Sequence, residues 1–293
     1  MIASLPRPLW LRAATALYVG AFLIFLFVPL VTVAVFAFND ANYPAPPWHG
    51  FTLDWFVADG TKGRVGLFHD AEVLSSLWTS LVVAVWVTAL SLLVGSANAF
   101  LMERYRFPGK QALSVLMLTP LVIPGVILGI SILSLSSRVA ELADDLFGWD
   151  LDFLRPGLPL VVFGQFSYIA TIATLMISAR LKRFDQTLEE AALNLGASHA
   201  AVLRTITFPY LRPALIGCSA ISFLMSFENF NTTLMLVGSD SPLTIMMYGR
   251  MREGASPVLN AVSLFLMLAS AGLALTLLRG SSRASRPSQP AAT

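Results

Sequence analysis

Glu190-Ala191-Ala192-Leu193-Asn194-Leu195-Gly196, followed ten residues after the glycine by Ile206-Thr207-Phe208-Pro209, is the most informative stretch of the chain. It is polar and compatible with a helix, yet it lies between long apolar segments that have the character of membrane spans. A polar patch on a loop between two spans is a surface that another protein can contact. The pattern therefore predicts a docking element.

The composition favours a membrane protein. Of 293 residues, 56% are hydrophobic and only 12% are charged, whereas soluble domains carry about 25% charged residues. A soluble fold with so little charge would expose large apolar patches. The net charge of +2 gives no reason to expect a nucleic-acid partner. The single cysteine, Cys218, and the scattered His49, His69 and His199 provide neither a disulfide framework nor a metal-ligand spacing.

Six apolar segments are long enough to cross a bilayer, which takes roughly 20 apolar residues. They should be helices, because every backbone polar group must be satisfied internally in lipid. The first run is too long for the core of a signal peptide and is expected to remain as an anchor. The predicted spans are Ala13–Phe38, Ser76–Phe100, Ala112–Leu135, Leu158–Ala179, Ala214–Val237 and Val258–Leu278.

Basic residues orient these spans, because cytoplasmic loops carry an excess of Lys and Arg. Thirteen basic residues lie on one side, namely Arg7, Arg12, Arg104, Arg106, Lys110, Arg180, Lys182, Arg183, Arg204, Arg212, Arg279, Arg283 and Arg286. Six lie on the other, namely Lys62, Arg64, Arg138, Arg155, Arg250 and Arg252. Both termini are therefore predicted to be cytoplasmic. Residues 1–280 are predicted to form one membrane domain, followed by a disordered tail, 281–293, rich in Ser, Pro and Ala.

The loop 180–213 lies on the cytoplasmic side in this topology. Asp185 is suited to cap a helix beginning near Gln186, and Gly196 to end it. Ser198 is suited to cap a second short helix, which we expect Pro209 to end. A helix–turn–helix follows, either as a docking element or as an amphipathic interfacial connection between two spans.

The segment resembles the "EAA" loop of ABC-importer permeases, whose pattern is E-A-A, three residues, G, nine residues, then I-x-L-P. Six residues occupy the matching positions, with Phe208 in place of the usual leucine: Glu190, Ala191, Ala192, Gly196, Ile206 and Pro209. Further likeness, at 50–56, 103–109, 119–130 and 254–261, is to the spermidine/putrescine branch of these permeases. The resemblance implies an all-α membrane protein with the type I (MetI-like) importer architecture in a bacterial inner membrane.

The resemblance also implies the partners. These are two ABC ATPase subunits docked on the EAA loop, a second and non-identical permease subunit, and a periplasmic solute-binding protein. No GxxxxGK[ST] segment is present to cradle ATP phosphates, so the chain is expected to be no enzyme and to hold no cofactor of its own. ATP and Mg²⁺ would be bound by the partner ATPase.

Glu228 is the polar residue of the predicted spans that most strongly suggests a function, because it carries a charge. A carboxylate at bilayer depth is costly unless it faces a cavity or a partner. It would either line the solute path, where it suits a cationic amine, or pair within the bundle. Asn229, Asn231 and Thr232 would line the same path or hydrogen-bond between helices. Gln165, Ser167 and Tyr168 favour interhelical bonding, and Pro120 and Pro124 predict a packing kink or a gate hinge.

A polyamine is the favoured cargo, and ferric iron, thiamine or another small solute is the alternative within the same class. A secondary transporter would show ion-coupling polar residues on several spans and inverted repeats, and neither is evident. An intramembrane enzyme would need a reactive constellation at bilayer depth, and no histidine lies in a predicted span.

Overall fold

The computed structural model describes residues 8–284 except Ala45, Lys62 and Ala255, with side chains as far as Gly272. In this part of the chain the regular structure is helical. The helices are α1 Leu9–Phe36, α2 Asp54–Val57, α3 Ala71–Arg104, α4 Lys110–Val122, α5 Gly125–Phe147, α6 Leu158–Leu181, α7 Thr187–Asn194, α8 His199–Val202, α9 Phe208–Phe227, α10 Asn231–Leu236, α11 Leu243–Gly254 and α12 Val258–Ala284.

Five described stretches are long and apolar enough to cross a membrane, namely Leu9–Phe36, Ala71–Arg104, Gly125–Phe147, Leu158–Leu181 and His199–Phe227. The sixth predicted span falls on α12, whose apolar part with described side chains, Val258–Gly272, is shorter than a span. The count of six therefore stays a prediction. The predicted tail 281–293 overlaps the end of α12 up to Ala284, and its remainder lies outside the described residues.

Two predicted spans are interrupted. The predicted third span, 112–135, is not one helix: α4 ends at Val122, Ile123 and Pro124 are extended, and α5 runs on to Phe147. The break follows from Pro124, which has no N–H for a helix bond and disfavours helical geometry in the residue before it. The predicted fifth span, 214–237, begins earlier, as α9 at Phe208, and is broken between Phe227 and Asn231.

The chain divides into two compact units. One comprises the described residues up to Leu74 together with those of Gly249–Ala269. In this unit Trp55 is buried, and its indole N–H donates to the carbonyl of Asn39 at 2.8 Å. In the same unit Arg250 pairs with Asp70 and Glu72.

The second unit comprises Ser75–Tyr248 and the described residues from Ser270 to Ala284. Its centre is α6, which buries half of its length against its neighbours. Gly95 of α3 meets α6 so closely that an added Cβ would lie 2.7 Å from the Cβ of Ala173. One apolar cluster around Leu160, Ile169 and Leu236 joins α6 to α10, and another, around Leu181, Phe184 and Leu211, lies beneath the loop before α9.

Candidate functional site

The loop between α6 and α9 forms the helix–turn–helix that its capping residues predict. Asp185 Oδ1 accepts the backbone N–H of Thr187 at 3.0 Å, next to the start of α7. Hydrogen bonds from the Thr187 side chain, and then from its backbone, hold the pKa of Asp185 below its ordinary value. Gly196 has φ +88° after α7 ends, a left-handed conformation that favours glycine. Ser198 Oγ accepts the N–H of Ala201 at 3.3 Å and caps α8.

Pro209 does not end the second helix, contrary to the sequence prediction. The chain passes from α8 through a π-helical turn, Leu203–Thr207, directly into α9, where Pro209 occupies the first turn. A proline is tolerated in the first turn of a helix, where its missing N–H is not required. The loop between α6 and α9, residues 182–207, is thus continuous with the span that follows it; we call it the docking loop after its predicted role.

Glu189, which the motif does not include, anchors the loop. Its carboxylate pairs with Arg104 at the end of α3 at 3.0 Å and accepts a hydrogen bond from the hydroxyl of Thr207, which is fully buried. The side chains of Arg104 and Glu189 are only 14% and 19% exposed. The two ends of the loop helices are thereby tied to the end of α3. No local signal reveals this pair, because 85 residues separate its members.

Aromatic rings and arginine side chains pack together against one side of the same loop. The guanidinium of Arg104 lies 5.3 Å from the ring centre of Phe184, and that ring meets Tyr210 edge-on at 4.9 Å. Arg180 lies over Tyr210 at 4.1 Å. Ile206, a motif residue, packs half-buried against this cluster. These contacts hold α7 and α8 by one side.

The other motif residues are distributed between the two faces of the loop. Glu190, Ala191, Gly196 and Pro209 are exposed, and Ala192 is half-buried. Exposed apolar side chains accompany them, with Leu188 53% and Leu195 89% exposed. Glu189 faces inward while Glu190 faces outward, so the outer face has a carboxylate, small residues and leucines free for contact.

A second candidate site is a cavity of about 310 Å³ at the interrupted helices. Three of the four residues predicted for the solute path line it, namely Asn229, Asn231 and Thr232. Glu228 does not. It follows the last residue of α9, is exposed, and takes part in none of the ion pairs in the described part of the chain. It is therefore not in the middle of a helix, because α9 ends just before it.

Polar side chains beside the cavity join the helices. Gln165, which is buried, donates to the hydroxyl of Thr233 at 2.8 Å and accepts from Ser226. Asn229 donates to the hydroxyl of Tyr168 at 2.7 Å. This confirms the interhelical bonding expected of Gln165 and Tyr168, whereas Ser167 bonds within its own helix. Asn229 serves both as cavity lining and as a link between helices.

The first unit holds a separate polar site around Arg250. Burial disfavours the charged form of Asp70, but its hydrogen bond from Arg250 and others from backbone N–H groups outweigh that effect and lower its pKa. The same carboxylates raise the pKa of Arg250. Within the described residues, no cluster of three His, Cys, Asp or Glu side chains could hold a metal ion.

Comparison with known proteins agrees with these features. Residues 90–283 match the model of the family described as "Binding-protein-dependent transport system inner membrane component". The chain is 28% identical over 254 residues to the spermidine/putrescine transport system permease protein PotC of Escherichia coli (strain K12), covering 86% of this chain and 88% of PotC. It is 26% identical over 245 residues to the putrescine transport system permease protein PotI of the same strain, covering 83% and 82%.

A solved structure shares the fold. A chain of the bacterial alginate ABC transporter, solved in complex with an alginate pentasaccharide-bound periplasmic protein, superposes with a TM-score of 0.73. The match covers 94% of this chain and 96% of that chain at 18% identity. At this identity the likeness shows the fold alone.

Proposed function

The chain belongs to the family of binding-protein-dependent transport system inner membrane components, and from this premise we propose that it forms half of the translocation path of a polyamine importer. It is a multi-pass permease of a bacterial ABC importer. In the proposal the cargo is spermidine or putrescine, since the relatives PotC and PotI are permeases for these solutes.

The docking loop is the observation that supports coupling to an ATPase. Its inner face is tied to α3 by Glu189 and Arg104, while Glu190 and Ala191 are left to solvent. Small exposed residues let another protein's backbone approach closely. In the proposal Glu190, Ala191, Ala192, Gly196, Ile206 and Pro209 form the element on which one of two ATPase subunits docks.

The rest of the assembly follows from the same proposal. A second, non-identical permease supplies the other half of the path, and a periplasmic binding protein delivers the solute. Hydrolysis of ATP occurs in the ATPase subunits, which bind ATP and Mg²⁺. Glu228, Asn229, Asn231 and Thr232 contribute to the path, where a carboxylate near the broken end of α9 favours a cation.

The test is ATPase activity of the chain reconstituted with its neighbouring ATPase, partner permease and binding protein. Spermidine or putrescine should stimulate hydrolysis, and Glu190→Lys should reduce the stimulated rate about tenfold or more, as expected for a charge reversal at an interface centre. Asp240→Lys is the matched control, because Asp240 is exposed, lies outside the docking loop and undergoes the same change of charge.

Each other result contradicts a different part of the proposal. Stimulation by sulfate, thiamine or ferric iron, but not by polyamines, would rule out the cargo and keep the importer. An ATPase that assembles equally well with Glu190→Lys and keeps its stimulated rate would rule out the docking role of the loop. A stimulated rate that Glu228→Gln leaves unchanged would remove that carboxylate from the proposed path.

A further inference from the structure

The cavity of about 310 Å³ lies where two helices stop short. The end of α4 meets the start of α5 on one side of it, and the end of α9 meets the start of α10 on another. Broken helices inside a membrane protein are tolerated where they line a cavity, and in transporters they form solute sites. The chemistry of the residues that line the cavity determines what it can bind.

The breaks deprive two of the lining residues of a regular helix hydrogen bond. Pro124 has no N–H to give to the carbonyl of Pro120, its regular partner in a helix. Asn229, the regular partner of the Met225 carbonyl, donates its backbone N–H to Ser226 instead, at 3.2 Å. Pro120 and Met225 both line the cavity. In each of these two lining residues the carbonyl has thus lost its regular helix partner.

Tyr168 forms an aromatic wall that is held in one position. Its hydroxyl accepts the side-chain N–H of Asn229 at 2.7 Å. The amide oxygen of Asn229 is itself fixed, because it accepts from the backbone N–H of Thr233 at 3.1 Å and from its hydroxyl at 2.8 Å. The orientation of the tyrosine ring is therefore set by an amide whose donor and acceptor sides both have partners.

The remaining lining suits a solute with one charged end and a hydrocarbon stem. Leu121, Ile123, Leu128 and Ile172 are apolar, and no Lys, Arg or His lines the cavity. Asn231 is exposed, and no described residue hydrogen-bonds its side-chain amide. The volume lies at the lower end of the range for small-molecule sites, about 300–1,000 Å³.

We propose that this cavity binds an ammonium group of the cargo together with its adjoining methylenes, and that Tyr168 is a residue that determines specificity for it. The ammonium lies against the tyrosine ring and donates to the carbonyls of Pro120 and Met225, and the methylenes contact the apolar side chains. A ring face attracts a cation, and the attraction grows when water is excluded. This inference rests on the proposed function, because it takes the cargo to be a polyamine.

The experiment measures binding to the importer itself, without its binding protein. The chain is purified with its partner permease and ATPase in lipid nanodiscs, and putrescine is compared with 1,4-butanediol, a neutral molecule of the same length, by equilibrium dialysis. We expect putrescine to bind and the diol not to bind. Tyr168→Leu should weaken putrescine binding about tenfold, whereas Tyr168→Phe, which keeps the ring, should change it much less.

A second pair of variants tests the site even if the substitution of Tyr168 prevents the chain from folding. Asn231→Lys adds a cation to the cavity at an exposed side chain and should abolish putrescine binding. Ser239→Lys adds the same charge at an exposed residue outside the cavity lining and should leave binding unchanged. Equal binding by Asn231→Lys and Ser239→Lys, or equal binding of putrescine and the diol, would overturn the site.

Failure of the site and failure of the proposed function give different results. If polyamines stimulate the complete importer but the four variants bind putrescine alike, the cavity assignment is wrong and the cargo stands. If polyamines do not stimulate the complete importer and putrescine does not bind, both the cargo and the site are wrong.

Discussion

Replacing Arg104 by alanine should loosen the docking loop from the membrane domain. The lost hydrogen bond to Glu189, at 3.0 Å between side chains less than one fifth exposed, contributes about 1.5–3 kcal/mol. The lost contact of the guanidinium with the Phe184 ring adds about 0.5–1 kcal/mol. Together these effects favour the detached loop by about 2–4 kcal/mol, or about 30- to 900-fold in the equilibrium between attached and detached loop.

Hydrogen exchange of the α7 amides, followed by mass spectrometry, measures this equilibrium. Exchange in Thr187–Asn194 should quicken by a comparable factor in Arg104→Ala, and by less in Arg104→Lys, which keeps a charge but loses the planar contact. Lys182→Ala is the matched control, because Lys182 is 67% exposed and its pair with Glu103 spans 3.6 Å. Such a pair contributes about 0–1 kcal/mol. Equal exchange in Arg104→Ala and Lys182→Ala would refute the anchoring role of Arg104.

Three further predictions concern packing and charge. Gly95→Ala should lower the melting temperature in detergent by several degrees, because its Cβ would meet a rigid neighbour at 2.7 Å, whereas Gly217→Ala, with nothing within 4 Å, should change it little. Gln165→Leu should destabilise the protein by about 1–2 kcal/mol in chemical unfolding, since it leaves two hydroxyl partners without their bonds. The pKa of Asp70 lies below its ordinary 3.8, so its pair with Arg250 should stabilise the fold above that pH and weaken as pH falls through the lowered pKa. Asp70→Asn should remove that dependence in thermal unfolding across the acid range; an unchanged pH profile would contradict it.

Sequence patterns were sufficient for features that depend on neighbouring residues. Asp185, Gly196 and Ser198 act locally, through caps and a left-handed turn, so the helix–turn–helix could be predicted from their order. The apolar spans could be recognised because every backbone polar group must be hydrogen-bonded internally in lipid, so that a long apolar segment there forms a helix.

Features that depend on distant residues could not be predicted in the same way. The break at Pro124 was open to two interpretations, a kink or a hinge, because the same proline serves both, and it proved to be a full interruption of the helix. Glu189 and Glu190 look alike in the sequence, and only the position of Arg104, 85 residues away, separates their roles. Tyr168 could be assigned to the cavity wall only once the helix ends around it were known.

The π turn before α9 has a consequence for the register of the docking loop. An α-helix rotates by about 100° per residue, and a π turn holds one residue more than an α turn. Both kinds of turn complete one rotation, so deleting one residue within Leu203–Thr207 and restoring α geometry would leave α8 facing in nearly the same direction. Converting the turn to α geometry with all five residues kept would instead rotate α7 and α8 by about 100° around the axis of α9. Glu190 would then point in a new direction, while every residue of the span kept its place. The direction in which the loop presents itself is thus set by the hydrogen-bond pattern of one turn.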